Sequence, residues 1–258
     1  LGKVLVGQAQ AVEHLLAAVF AGGHVLLEGM PGLGRTLLVK LAAKVLGLSF
    51  NRIQFTPDLL PTDITGTEVL QENADRRTRC FRFFPGPVFA NMVLADEINR
   101  SPPRSQSALL EVMQERQVTI GGQQHAVPAP FLLVATQNLL ETEGVFPLPE
   151  AQRDRFLMSI RLDYPSFGEE LAIVDAATGA GGPPPEPILD PQMLLAVQRF
   201  ARMVPVVPSV KEYALALVRR TRPGGQGAGG VCRMLRWGAS RACGPRCRPK
   251  RPSATSVT

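Results

Sequence analysis

The sequence predicts an α/β protein: a parallel sheet layered with helices, followed by a smaller all-α unit. Three observations carry that reading. An apolar strand at 25–27 runs into a loop punctuated by Gly29, Gly32 and Gly34. Beyond the loop, Leu37, Leu38, Leu41, Ala42 and Val45 recur at helical spacing. Further strand patterns, alternating at 50–55, apolar at 92–97 and 131–136, and a last one at 158–163, are separated by helical or turn-rich segments, as in layered α/β proteins. Past a Gly- and Pro-rich break at 179–187, only helical patterns remain, at 191–203 and 209–222.

In order, Ala11, Val12, Leu15, Leu16, Val19 and Phe20 mark one face of a first helix, which Gly22-Gly23 ends. The loop after the first strand reads as a phosphate cradle. Its glycines free the backbone to turn successive amides toward an anion sitting on the helix N-terminus. The candidate binding residues are Gly29, Met30, Pro31, Gly32, Leu33, Gly34, Arg35 and Thr36, and the Thr36 hydroxyl can take a magnesium ion. The loop pattern calls for lysine at position 35. Arginine keeps the charge but is planar, wider and less like a point charge. Residues 56–63 read as a loop or short turn, and 67–71 with 79–84 as a hairpin around the polar segment 72–78.

The run 92–97 closes on Asp96 and Glu97. A buried strand of an open α/β sheet delivers such residues to its C-terminal end, where ligands bind. Asp96 can hold magnesium, and Glu97 can orient and deprotonate an attacking water. Ser101 and Pro102 read as the cap and first turn of a helix with Ala108, Leu109, Val112 and Met113 on one face. Gly121-Gly122, between 117–120 and 123–127, is the clearest hairpin signal in the chain. The strand at 131–136 ends at Gln137 and Asn138, whose amides can hold a water or touch a terminal phosphate. Residues 150–156 read as a short helix.

At 258 residues and 45% apolar content, the chain can bury a sizeable core. It has no run of eighteen apolar residues, so no membrane span is expected, and its start lacks a signal-peptide layout. Beginning at Leu1, it is expected to lack its true N-terminus. The formal charge of +6 comes from the end of the chain: ten of the 28 Lys and Arg, and no acidic residue, follow Glu212. The first 212 residues therefore carry 18 minus 22, or −4, which argues against a nucleic-acid partner. Cys232, Cys243 and Cys247 match no zinc spacing and read as free thiols of a cytoplasmic protein. His14, His24 and His125 fit no metal or nucleophile set.

Longer stretches are more specific. Residues 22–29, Ile53-Gln54-Phe55-Thr56-Pro57-Asp58-Leu59-Leu60-Pro61, Leu94-Ala95-Asp96-Glu97-Ile98-Asn99-Arg100 and Pro147-Leu148-Pro149-Glu150-Ala151-Gln152 resemble the MoxR family of AAA+ ATPases, over about residues 4–222. The resemblance implies an αβα P-loop NTPase core with a parallel sheet and inserted hairpins at 1–165, and a helical lid at 166–240. A basic tail at 241–258 follows. ATP and Mg2+ are the implied cofactors. A homo-oligomeric ring, a hexamer, and clients or partners with von Willebrand factor A domains are the implied partners.

Carried over, residues 29–36 match the Walker A loop, Asp96 and Glu97 the Walker B pair, and Asn138 the sensor asparagine. Arg155 matches the arginine that such rings present to a neighbour's γ-phosphate. The implied function is an ATP-hydrolysing chaperone, and the alternative is a nucleotide-gated scaffold impaired in hydrolysis by Arg35 and a truncated lid. A DNA-unwinding member of the same superfamily has less support. Leu139, Arg153 and Arg35 depart from the family pattern. So does the switch to Arg, Cys and Pro after Ser240, which resembles a reading-frame shift.

Overall fold

The computed structural model describes residues 7–72, 79–138, 144–178 and 185–220. The expectations for the tip at 73–78, for Leu139, for most of the break at 179–187 and for the chain after Arg220 lie outside those residues. The last of these includes Cys232, Cys243, Cys247 and the lid segment 238–241.

The chain runs through α1 (Ala9–Ala21), β1 (Val25–Gly29), α2 (Arg35–Val45), β2 (Phe50–Gln54), α3 (Pro61–Thr65), β3 (Gly66–Glu72), β4 (Arg79–Pro85) and β5 (Met92–Asp96). A 3-10 turn (Ile98–Arg100) leads to α4 (Pro103–Glu115), β6 (Gln117–Ile120), β7 (Gln123–Ala126), β8 (Leu132–Gln137), α5 (Glu150–Arg153), β9 (Met158–Leu162), α6 (Phe167–Thr178) and α7 (Pro191–Met203). The chain divides into two compact units between Val204 and Pro205, and the second unit holds α8 (Pro208–Arg220).

Five strands form one parallel sheet in the order β2-β5-β8-β1-β9, while β3–β4 and β6–β7 are separate antiparallel hairpins. Alternation along the strands builds two cores. Val25, Leu27, Met92, Leu94 and Val134 pack toward α1 and α2, while Leu26, Val93, Ala95, Leu133 and Ala135 pack with Leu109 and Leu110 of α4. Burial on both faces explains why the inner strands β5 and β8 read as apolar runs, whereas the edge strands β2 and β9 alternate with polar residues. At the far side of α1, Gln198 of α7 donates to the Val19 carbonyl at 2.8 Å and Leu194 joins the core.

His24 is a buried polar group at the base of the sheet. Its Nδ1 accepts from the Leu133 amide at 2.9 Å, and its ring meets Phe131 edge-on. Burial, with help from the Arg116 charge, lowers its pKa from 6.5 to about 4, although a backbone hydrogen bond at Met113 opposes the shift.

Four local expectations change. The helix α4 starts one residue later than expected, with Pro102 as its N-cap, because Ser101 ends the 3-10 turn in extended backbone with its side chain fully buried. Gln106 stitches this corner, donating to the carbonyls of Ile98, Ser101 and Phe146. The segment at 150–156 is helical only to Arg153, after which the chain turns to bury Phe156. Residues 61–65 form one helical turn, held by Leu60 N donating to Asp63 Oδ2 at 2.9 Å. Finally, α6 is a helix that apolar periodicity misses.

Candidate nucleotide-binding site

Strand order assembles the site. Because β8 lies between β5 and β1, the C-terminal ends of these parallel strands bring Gly29, Asp96 and Gln137 to one edge of the sheet. Each strand end then leads into a loop that carries a predicted site residue.

The loop glycines have different roles. Gly32 and Gly34 take φ of +86° and +73°, and a Cβ on either would meet nothing within 4 Å. Left-handed backbone beside open space is a cradle that an anion can enter. Gly29 instead closes β1 against β9, where a Cβ would stand 2.8 Å from the Leu162 carbonyl oxygen. Unlike Gly32 and Gly34, Gly29 does not take a left-handed backbone, and what its missing side chain gives is the close approach of β1 to β9. Met30 packs on the core, Leu33 is part of it, and Pro31 is exposed. Gln8, which no sequence signal singled out, donates to the Leu33 carbonyl at 2.6 Å.

Thr36, in the first turn of α2, points its Oγ1 at Asp96 Oδ2, 3.4 Å away. Thr136 of β8 organises the acids: its hydroxyl donates to Asp96 Oδ1 at 2.6 Å and accepts from the Glu97 amide at 2.8 Å. Glu97 has left-handed backbone, φ 57° and ψ 49°, which turns it off the line of β5. Its Oε2 accepts from Gln54 Nε2 at 3.0 Å and from Arg100 Nη1 at 3.1 Å. Arg52 donates to Asp96 Oδ2 through Nε at 3.0 Å and Nη2 at 2.7 Å. Asn138 is buried, and its carbonyl accepts from Asn99 Nδ2 at 3.3 Å. Beside it, the Gln137 Oε1 is buried and unpartnered among the described residues.

Arg35 is almost fully buried, 6% exposed, and its Nη1 reaches the carbonyls of Gly29 and Gln137 at 3.4 Å each. Its charge is directed to the ends of β1 and β8. Arg153 pairs with Glu28, next to the loop, at 2.9 Å. Arg155 does not join the network around the acids. It is exposed, and its guanidinium donates to the Leu110 carbonyl at 2.8 Å. The structure therefore brings together the loop, Thr36, Asp96, Glu97 and the Asn138 segment, and leaves Arg155 outside.

This arrangement combines an anion cradle, two hard oxygen donors suited to magnesium, and a neighbouring carboxylate able to act as a base. A family model described as "ATPase family associated with various cellular activities (AAA)" matches residues 24–158. The chain is 48% identical to the chaperone MoxR1 of Mycobacterium tuberculosis over 92% of its length and 62% of the relative's. The chain belongs to the MoxR family of AAA+ ATPases. Protein YeaC of Bacillus subtilis is 45% identical over 86% of the chain and 68% of its own length. The MoxR-type fold also matches a crystal structure from Cytophaga hutchinsonii with a TM-score of 0.76 at 44% identity, covering 86% of this chain and 66% of that one. The chain thus spans about two thirds of the length of these relatives. Among the described residues of this MoxR-family chain, no single helix is long and apolar enough to cross a membrane.

Proposed function

We propose that the chain is an ATP-hydrolysing, chaperone-like motor of the MoxR type, acting in the cytoplasm on partner proteins. The observation that carries this is the meeting of Thr36 Oγ1 and Asp96 Oδ2 at the mouth of the glycine loop, with Glu97 next in sequence. The loop amides would hold the nucleotide's phosphates at the N-terminus of α2. Thr36 and Asp96 would hold Mg2+, which when bound neutralises charge on the β- and γ-phosphate oxygens. Glu97 would orient a water and take its proton as the water oxygen bonds to the γ-phosphorus and the bond to the bridging oxygen breaks, releasing ADP. Asn138, at the end of β8, would fix that water or a γ-phosphate oxygen. Thr136 supports the division of labour by holding the Asp96 carboxylate and the Glu97 amide with one hydroxyl.

Exposure of Arg155 supports its use across a boundary between subunits of a ring, a hexamer by family resemblance, in which it would complete a neighbour's site. The lid would comprise the helices from residue 166 onward, and partners with von Willebrand factor A domains fit the chaperone role. The competing reading, a scaffold that binds nucleotide without turning it over, draws on the inward orientation of Arg35. The family relationship to a named chaperone weighs toward the motor.

Glu97→Gln tests the proposal. The variant should bind ATP as the parent does while losing turnover by at least about 10²-fold, the usual contribution of a general base. Joint loss of binding and turnover would make Glu97 a structural residue and refute the assignment.

A further inference from the structure

We infer that Arg52 is a metal-competing residue that makes magnesium capture at Asp96 depend on arrival of the nucleotide. This rests on the nucleotide reading above, in that Asp96 is taken as the metal carboxylate. Arg52 and Gln54 alternate along β2, so both side chains lie on one face of the strand, and the parallel register sets Arg52 beside Leu94 and Gln54 beside Asp96. The Arg52 guanidinium places two donors on a single carboxylate oxygen, Asp96 Oδ2, at 3.0 and 2.7 Å. That is the oxygen facing the Thr36 hydroxyl. Gln54 accepts from the same Arg52 Nη2 and donates to Glu97, so one amide links the guanidinium on Asp96 to the neighbouring carboxylate.

Competition follows from charge and geometry. A metal ion bound between Thr36 and Asp96 needs the oxygen that Arg52 occupies, and two cations cannot share it without strong repulsion. Free Mg2+ must displace an arginine that makes charge-assisted bonds and must also shed part of its own hydration shell. Mg2+ arriving on a nucleotide brings phosphate oxygens that compensate for both. Asp96 is nearly buried, at 9% side-chain exposure, while Arg52 is 47% exposed and has solvent into which to withdraw. The arginine is therefore the mobile partner, and exposure limits the strength of its hold.

The test uses the whole chain with Mn2+ as a probe, free ion being measured by electron paramagnetic resonance without nucleotide. Arg52→Ala should tighten Mn2+ binding about tenfold, a size set by an exposed but doubly bonded arginine. Arg52→Lys, which keeps the charge, should fall between the two. Adding Asp96→Asn to Arg52→Ala should abolish the gain. In parallel, binding of a fluorescent ATP analogue should need about tenfold less Mg2+ in Arg52→Ala than in the parent. Equal Mn2+ affinities of parent and Arg52→Ala would overturn the inference, as would a gain that survives Asp96→Asn. If the Mn2+ results hold while no variant binds the ATP analogue, competition at Asp96 stands and the nucleotide reading fails. Circular dichroism melts of each variant establish that loss of folding is not the cause.

Discussion

Acid should weaken the fold through His24 in a way that one substitution can isolate. The imidazole is buried, accepts a hydrogen bond from the Leu133 amide, and has its pKa lowered from 6.5 to about 4. In the unfolded chain the ring protonates as pH falls through about 6.5, whereas in the folded protein it stays neutral until about 4. The unfolded state therefore binds more protons across that window, and stability is complete above 6.5 and lost as pH falls toward 4. The full loss is about 3 kcal/mol, and about 2 kcal/mol of it is gone by pH 5. His24→Asn places a short amide where its Oδ1 can still accept from Leu133 but cannot titrate. Urea unfolding followed by circular dichroism at pH 7.5 and 5 would give both slopes. The parent should lose about 2 kcal/mol more than His24→Asn over that interval, whatever the variant's stability at pH 7.5. Equal losses would refute the buried, neutral assignment.

Three further outcomes follow from the site. Arg35→Lys should raise kcat about 10- to 100-fold, the value of one charge-assisted hydrogen bond gained in the transition state, with ATP affinity changed only a few-fold. Unchanged kcat in steady-state turnover would show that arginine serves equally well. Arg155→Ala should lower turnover about 10³- to 10⁵-fold, and mixing it with Glu97→Gln subunits should restore part of the activity. No rescue in mixed rings verified by native mass spectrometry would exclude a role across the interface. Gly29→Ala should destabilise the fold by about 1–3 kcal/mol, because the new Cβ would press on the Leu162 carbonyl. An unchanged melting temperature would contradict that packing role.

What the sequence made legible was local. The glycine loop, the apolar strand closing on Asp96 and Glu97, and the Gly121-Gly122 hairpin each declare themselves within a dozen residues. The helix α6 has such a signal too. Ser166 and Glu169 form a side-chain-to-backbone pair at its start, with Ser166 N and Oγ both 2.7 Å from Glu169 Oε2, and that spacing is visible in the sequence. Phe167, Leu171 and Val174 share one side, but Ala172 and Ile173 carry apolar surface around the rest of the helix, so no single face stands out and periodicity passes over it. Arg52 and Gln54 were hidden for a different reason. Their partners lie 44 and 43 residues away, and only the pairing of β2 with β5 brings them together. Gly29 fits the loop pattern, yet its close approach to β9 depends on a strand that starts more than a hundred residues later.

The left-handed backbone of Glu97 has a bearing on any attempt to make this protein more robust. A side chain other than Gly or Asn in that conformation costs about 1–2 kcal/mol, so the proposed base sits where the chain would be steadier without it. A library screened for heat tolerance alone would enrich Gly or Asn at position 97 and discard the proton acceptor in the same step. Here robustness and turnover compete for one residue, and a stabilisation programme has to hold Glu97 fixed and find its gains elsewhere.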